Sequence, residues 1–297
     1  MRSFFGENKR YSYFEGWYFK QQTPSQTVAF IPALHIDAQG RRSASIQIIV
    51  DDAVVFAHFP FESLRASRNG LYIRIGNNCF SQEGVFIDTQ EDGISVKGEL
   101  HFGKLLPLKG DIMGPFRYVP FLQCRHSVFS VMHNVSGMLR VNGSPISFEN
   151  ASGYIEGDRG SSFPERYVWT QCSPQGDTPC SVMLCVADIP FAGLRFTGII
   201  GYAYWDGVER RIATYLGAKP VHIGHNAISV RQCGYLLQAD LLESRPKLLQ
   251  APVNGGMTRT IRESPSCRVR YRFYDNGRSL FDFVSDRAGF EYEYGAD

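Results

Sequence analysis

Apolar and polar residues alternate with a period of two through much of this chain, and few folds admit that pattern. In a β-strand successive side chains point to opposite faces, so a strand buried on one face must read apolar, polar, apolar. Cys267, Val269, Tyr271 and Phe273 alternate with Arg268, Arg270 and Arg272, and Tyr292 and Tyr294 alternate with Glu291 and Glu293. Leu71, Ile73 and Ile75 share a face in the same way, as do Ile94 and Val96. The three arginines read as the wet face of a strand and not as a ligand site. Asn69-Gly70, Asp92-Gly93, Asn142-Gly143, Asp206-Gly207 and Asn276-Gly277 supply the positive φ angles of tight hairpin turns, so the strands run as antiparallel meanders. Amphipathic helix patterns are scarce. Tyr235-Leu236-Leu237 with Leu241-Leu242 has some helical spacing but no convincing cap, and an irregular strand pair fits it as well. The expectation is an all-β fold with little helix, closed into barrels or packed as sandwiches to hide its edges.

At 297 residues, 43% hydrophobic and 20% charged, the chain can bury either one large core or two of ordinary size. Two is favoured by a faint internal echo. Trp17 precedes the apolar run Val28 to Ile31, Trp169 precedes Val182 to Leu184, and a glutamine follows each tryptophan at Gln21 and Gln171. The halves divide at residues 1–145 and 146–297, after the Asn142-Gly143 turn, with no linker-like stretch between them. Aromatic content of 13%, with 22 Phe and 15 Tyr, suits pleated sheets around a greasy cavity. A net charge of +2 argues against nucleic acid as a partner. No apolar run reaches the roughly 18 residues of a membrane span, so any lipid contact is peripheral. Seven cysteines without paired spacing read as free thiols, and the start of the chain turns polar before signal-peptide length, which together suggest the cytoplasm. The sequence sets no oligomeric state.

The common catalytic signatures are missing: neither a phosphate-cradling glycine loop with its lysine nor a Gly-x-Ser-x-Gly elbow occurs. His222 and His225 would fall on opposite faces of a strand, and His35, His58, His101, His126 and His133 are scattered singly, so a metal site is not expected. Two segments concentrate unusual chemistry. Phe14-Glu15-Gly16-Trp17-Tyr18-Phe19-Lys20 brackets aromatics between a carboxylate and a lysine, and the stretch from Gly153 to Gln171 packs Tyr154, Glu156, Asp158, glycines, Pro164 and Trp169 together.

These segments resemble the tocopherol cyclase family, whose members carry a similar Glu-Gly-Trp-Tyr-Phe-Lys element early and a Gly-Tyr-x-Glu-x-Asp-x-Gly-x-Ser-Phe-Pro element, ending in Trp-x-Gln, near the middle. Ser130-Val131-Met132-His133, Asp188-Ile189-Pro190-Phe191 and Met257 to Ser264 are similar too, so the likeness runs along nearly the whole chain. The resemblance implies two tandem lipocalin-like domains, related in fold to carotenoid hydratases and Diels-Alder cyclases. It implies cofactor-independent cyclisation of a lipophilic, prenylated hydroquinone: an alkene is protonated and a ring hydroxyl captures the cation. The acid should be a carboxyl kept neutral by burial, Asp158 or Glu156. Trp17 and Trp169 would wall the site beside Glu15 and Tyr154, and Gln171 or His133 would hold the substrate hydroxyl. A structural alternative pairs Asp158 with Arg159 or Arg166 and Glu15 with Lys20. The functional alternatives are a non-catalytic carrier of a hydrophobic small molecule and an isoprenoid double-bond hydratase.

Overall fold

A computed structural model describes residues 3–50, 53–91, 93–176, 178–191 and 193–294. The protein is all-β, and among the described residues helix is confined to short 3-10 turns. The first sheet contains β1 (Tyr13–Gln22), β2 (Thr27–Ile36), β3 (Arg42–Val50), β4 (Ala53–Pro60), β5 (Leu64–Ala66), β6 (Tyr72–Ile75), β7 (Asn78–Ser81), β8 (Gly84–Glu91), β9 (Ile94–Phe102), β10 (Cys124–Val141), β11 (Ser144–Ser147) and β12 (Ala151–Gly160). The second contains β13 (Tyr167–Cys172), β14 (Cys180–Phe191), β15 (Leu194–Trp205), β16 (Val208–Ala213), β17 (Lys219–Gly224), β18 (Ala227–Gln232), β19 (Tyr235–Glu243), β20 (Lys247–Val253), β21 (Gly256–Asp275) and β22 (Arg278–Tyr292).

Both sheets follow one plan. Four strands run as a meander, and the first of them then pairs with the last strand of its sheet. The orders are β4-β3-β2-β1-β12-β10-β9-β8-β7-β6-β5, with β11 on β10, and β16-β15-β14-β13-β22-β21-β19-β18-β17, with β20 on β21. These are the two lipocalin-like halves. The echo of Trp17 and Trp169 falls on corresponding strands, β1 and β13, but not in corresponding phase. Trp17 joins the core of its sheet, whereas on β13 it is Val168 and Cys172 that do so, leaving Trp169 and Gln171 on the other face. In a strand, a shift of one residue exchanges the faces.

The compact units do not divide at residue 145. The first comprises Met1–Pro107, Cys124–Phe163 and Leu249–Thr260, and the second Leu108–Gln123, Pro164–Leu248 and Ile261–Asp297. Residues 146–163 stay with the first unit because β12 is paired on both sides, with β1 and with β10. Residues 249–260 belong there because the β20–β21 hairpin is bound to it through backbone groups. Gln47 donates from Nε2 to Gln250 O at 3.0 Å and accepts from Gln250 N at 2.9 Å, and Gly255 N donates to Ser161 O at 2.7 Å.

In the first unit Trp17 and Phe19 of β1, Phe30, Leu34 and Ile36 of β2, and Ile46 and Ile48 of β3 form one apolar face, closed by Phe80 and Ile155. Phe19 and Phe30 both pack on the Phe80 ring, with centroids 5.6 and 5.9 Å apart. The second core gathers Val182, Leu184, Val186, Val269, Tyr271 and Phe273. Each such side chain contributes roughly 1.5–3 kcal/mol on burial. On β21 the alternation holds: Arg268, Arg270 and Arg272 pair with Asp286, Asp282 and Asp240 on the polar face. Tyr235 to Leu242 is strand, in β19.

Asn142-Gly143, Asp206-Gly207 and Asn276-Gly277 take positive φ at both residues, as two-residue hairpins require, while at Asn69-Gly70 only the glycine does. Asp92 lies outside the described residues. All cysteines are free thiols, and of them Cys233 is exposed. No helix among the described residues is long and apolar enough to cross a membrane.

A further turn, Asn254-Gly255, joins β20 to β21 with φ of 47° and 80°. A Cβ on Gly255 would stand 1.9 Å from Ile36 O and 2.4 Å from Tyr13 N, both immovable strand backbone. Gly255→Ala should therefore destabilise the protein by about 2–4 kcal/mol in urea unfolding, against about 1 kcal/mol or less for Gly207→Ala, whose Cβ meets nothing within 4 Å.

Candidate functional site

The register of β12 decides which predicted site residues can act together. Glu15, Trp17, Phe19 and Gln21 of β1 stand opposite Arg159, Gly157, Ile155 and Gly153 of β12, and this row contains the core residues Trp17, Phe19 and Ile155. The alternate row places Gly16, Tyr18 and Lys20 opposite Asp158, Glu156 and Tyr154 on the other face. On the far side of β12, His126 and Val128 of β10 face Asp158 and Glu156. The predicted residues therefore fall into two groups on opposite faces of one strand. Tyr154, Glu156 and Asp158 share the face away from the core, and Glu15, Trp17 and His133 share the core face.

On the outer group's face a polar chain is buried. The Tyr154 hydroxyl donates to Glu156 Oε2 at 2.5 Å. His126 Nε2 faces the same oxygen at 3.2 Å as an ion pair, without hydrogen-bond alignment, and His126 Nδ1 lies 3.0 Å from Asp158 Oδ1. Cys124 Sγ closes the chain at 3.5 Å from that oxygen. Tyr154, Glu156 and His126 are 2%, 6% and 8% exposed, and Lys20, across from Tyr154, is fully buried. Burial works against a charged His126, but the Asp158 and Glu156 carboxylates outweigh it and hold its pKa well above the ordinary imidazole value. His126 is the member that sequence inspection left among the scattered histidines. Its signal was the β10 and β12 pairing, which sets the His126 position against the Glu-x-Asp pair of Glu156 and Asp158.

One ligand atom from each of His126, Glu156 and Asp158 lies within 4.8 Å of the others, close enough to surround a small divalent ion. Yet Nδ1 makes a hydrogen-bond contact with Asp158 and Nε2 lies 3.2 Å from Glu156, so a carboxylate flanks each ring nitrogen, as suits a protonated imidazole. The ion pair of Asp158 with Arg159 does not form, because adjacent strand residues face opposite ways; Arg159 instead donates to Ser127 Oγ at 3.0 Å and covers the Phe5 ring at 3.9 Å. Glu15 and Lys20 are separated by the same alternation.

On the core face, Glu15 accepts from Phe5 N at 3.1 and 2.9 Å and from the Tyr13 hydroxyl at 2.9 Å, which ties down the segment before β1. Burial raises its pKa to about 7, against the pull of those hydrogen bonds and of Arg159. Glu15 is thus a buried carboxyl with a raised pKa, but both of its oxygens are occupied. Further along, His133 Nε2 and both amide atoms of Gln21 are buried without a hydrogen-bond partner, over Gly153, where a Cβ would stand 2.2 Å from His133 Nε2 and 2.3 Å from Gln21 Oε1. Burial lowers the His133 pKa to about 3, so the ring is neutral, with Nδ1 3.1 Å from Ser130 Oγ and the ring packed on Phe102. His133 is chemically able to hold a hydroxyl, but not one on a group that also touches Glu156. Trp169 and Gln171 are buried on β13 of the second unit, where Gln171 Nε2 donates to Ser173 Oγ at 3.0 Å. His222 lies on β17 and is exposed.

Glu15 binds its proton more tightly in the folded state than in the unfolded chain, so its contribution to stability is complete below pH 4.5 and fades as the pH rises through about 7. Glu15→Gln keeps an acceptor for Phe5 N and has no proton to lose. Urea midpoints at pH 5 and pH 8 should therefore move in the variant's favour, relative to wild type, at the higher pH.

No family model matches the chain, and no curated protein does. Among solved structures, a protein from Nitrosomonas europaea provisionally described as an AttH is similar at a TM-score of 0.53 and 12% identity, over 95% of this chain and 93% of that one. That likeness supports the two-domain fold alone. A DUF3598-family protein of unknown function from Nostoc punctiforme aligns over 94% of this chain and 95% of that one at 10% identity, but its TM-score of 0.18 bears no weight.

Proposed function

We propose that this protein is a cofactor-independent, tocopherol cyclase-like isomerase that protonates an alkene of a lipophilic prenylated substrate, with Glu156 as the acid. The observation that carries the proposal is the imidazole of His126 held between two carboxylates, with the Tyr154 hydroxyl on the more buried of them. Glu156 Oε2 is engaged by Tyr154 and His126, while Oε1 makes no hydrogen bond among the described residues. Oε1 is the atom that would carry the proton in the reactive form, in which Glu156 is the neutral acid and the Asp158 carboxylate alone keeps His126 charged.

In the cycle the alkene π pair takes the proton from Glu156 Oε1, giving a tertiary carbocation and a carboxylate. The carboxylate forms beside the His126 imidazolium and accepts the Tyr154 hydrogen bond, so the charge is met by groups already in place. The substrate's ring hydroxyl oxygen then bonds to the cation, and its proton returns to Oε1. Nothing is oxidised or reduced, and the product is an isomer of the substrate. Asp158 holds the far side of the imidazole and keeps it protonated, which makes it a positioning residue.

Glu156→Gln should reduce conversion of a prenylated hydroquinone to its chromanol, followed by chromatography, by roughly 10²- to 10⁴-fold. Asp158→Asn should cost less and shift the alkaline limb of the pH profile downward. Full cyclisation by Glu156→Gln would remove Glu156 as the acid, and no turnover by wild type over several chain lengths would favour a carrier.

The charge on His126 has its own readout. Imidazole NMR should find His126 still protonated at pH 7.5, where an ordinary histidine (pKa about 6.5) is mostly neutral, and Glu156→Gln and Asp158→Asn should each lower its midpoint. Because the folded pKa is the higher one, the stability contributed by this ion pair is complete below about pH 6.5 and is lost as pH rises through the folded value.

A further inference from the structure

The second unit carries an apolar surface that the chemistry above does not use. Residues 108–118 lie as a strap along the face of β15 and β16 turned away from the core residues Ala203 and Ile212. Lys109 N donates to Glu209 Oε2 at 2.8 Å, Arg211 Nη1 donates to Asp111 O at 2.9 Å, and the Tyr215 hydroxyl donates to Ile112 O at 3.2 Å. The 3-10 turn Gly114–Tyr118 then sets the Phe116 ring against Phe196 and Tyr215, with centroids 6.0 and 5.8 Å apart.

Around this aromatic trio, apolar side chains face water. Tyr118, Leu194 and Leu216 follow or precede Phe116, Phe196 and Tyr215 by one or two residues, so their Cα atoms lie within about 7 Å of the trio. They are 73%, 75% and 45% exposed, and Phe121, just past Tyr118, is 95% exposed. We propose that this end of the second unit, with Tyr118, Phe121, Leu194 and Leu216 at its tip, docks on the surface of an anionic lipid bilayer.

The backbone at Phe121 shows that its ring is presented at a cost. Its φ of 59° lies in the left-handed region, which glycine takes freely and a bulky side chain takes only under strain. An exposed ring returns no packing energy to offset that strain. Residues held against their own stability in this way cluster where a protein binds something.

The charge pattern selects the occupant. Lys219, three residues past Leu216, stands directly opposite Arg231 in the β17–β18 register, and both are exposed. Like charges so placed repel, and neither has a carboxylate partner among the described residues. Arg117, stacked on the Tyr118 ring at 4.5 Å, adds a third cation beside the apolar tips. Of the acids at this end, Glu165 is paired with Arg195 at 2.8 Å and Asp188 is half-buried. Apolar and aromatic tips flanked by cations match a bilayer interface, where rings enter the acyl boundary and basic groups meet lipid phosphates. A second copy of the chain docked through the same face would bring these cations together.

The test is flotation of the full-length protein with phosphatidylcholine vesicles, with and without about a third of phosphatidylglycerol. Affinity for the anionic vesicles should be at least about 10-fold the higher, and added salt should weaken it. Phe121→Gly removes the ring and relieves the backbone, so it should lower vesicle affinity about 10-fold while leaving the urea midpoint equal or raised. Lys219→Glu with Arg231→Glu should lower affinity for anionic vesicles about 10-fold and leave neutral ones unaffected. Phe121→Trp should still bind, with its added emission quenched by brominated lipid. No binding to anionic vesicles, full binding by Phe121→Gly, or an unquenched Phe121→Trp would overturn the assignment, as would a lipid-free dimer that Phe121→Gly dissociates. Binding is read without turnover, so it can fail while the acid chemistry of Glu156 holds, and the reverse.

Discussion

Everything at the candidate site depends on the pairing of β12 with β1 on one side and β10 on the other. That double pairing fixes the direction of every side chain from Ala151 to Gly160. Ile155 and the glycines at 153 and 157 fall on the apolar face, and Tyr154, Glu156 and Asp158 on the reverse. A slip of one residue would turn two carboxylates into the hydrophobic core at a cost of several kcal/mol each, so the packing of Trp17, Phe19 and Ile155 holds the acids in place. Gly157 permits this closely: a Cβ there would lie 2.8 Å from Gly16 O and 3.3 Å from the Trp17 ring.

Burial then acts on similar groups with different results. His35 and His133 lose their charge because burial removes water and no carboxylate replaces it, whereas His126, equally enclosed, keeps its charge because two carboxylates flank it. Breaking such a buried pair by removing one partner typically costs about 3–5 kcal/mol, while replacing the whole group with apolar side chains often costs nothing. Stability alone is therefore a weak reason for Tyr154, Glu156, His126 and Asp158 to be assembled on a buried face. Proton transfer is a reason with a physical basis, since a carboxyl beside a charged imidazole can give up and recover a proton without solvent reorganising around it.

The sequence disclosed the parts of this structure whose signal is local. Alternation at Cys267 to Phe273 and the Asn-Gly and Asp-Gly turns are properties of a few adjacent residues, and they marked the strands and most hairpins. What lay beyond reach was pairing between distant strands. The boundary near 145 followed the last clear turn, yet β12 lies after it in sequence and belongs to the first sheet. His126 stands 30 residues from Glu156 with no local mark of their contact. Glu15, Trp17 and His133 were grouped with Glu156 and Asp158 by motif, and only the register shows that a strand separates them. The Asn254-Gly255 turn was as legible as the others, but that its glycine abuts Ile36 is a tertiary fact.

The separation of faces also changes how the enzymatic and carrier readings relate. They looked like rivals for one site, because motif proximity put an acid and a hydroxyl-binding histidine side by side. In the fold the acids share a face with Tyr18 and Lys20, and the unpartnered Gln21 and His133 atoms share the other with Phe19 and Ile155. A group bound at His133 touches aromatic side chains and a neutral imidazole, an environment that can hold a hydroxyl or carbonyl but has no proton to give. A group at Glu156 Oε1 meets the Tyr154, His126 and Asp158 chain, a set of groups able to move a proton. Holding a hydroxyl at His133 and transferring a proton at Glu156 would thus be demands on different faces of one sheet, so that a change at either leaves the groups of the other in place.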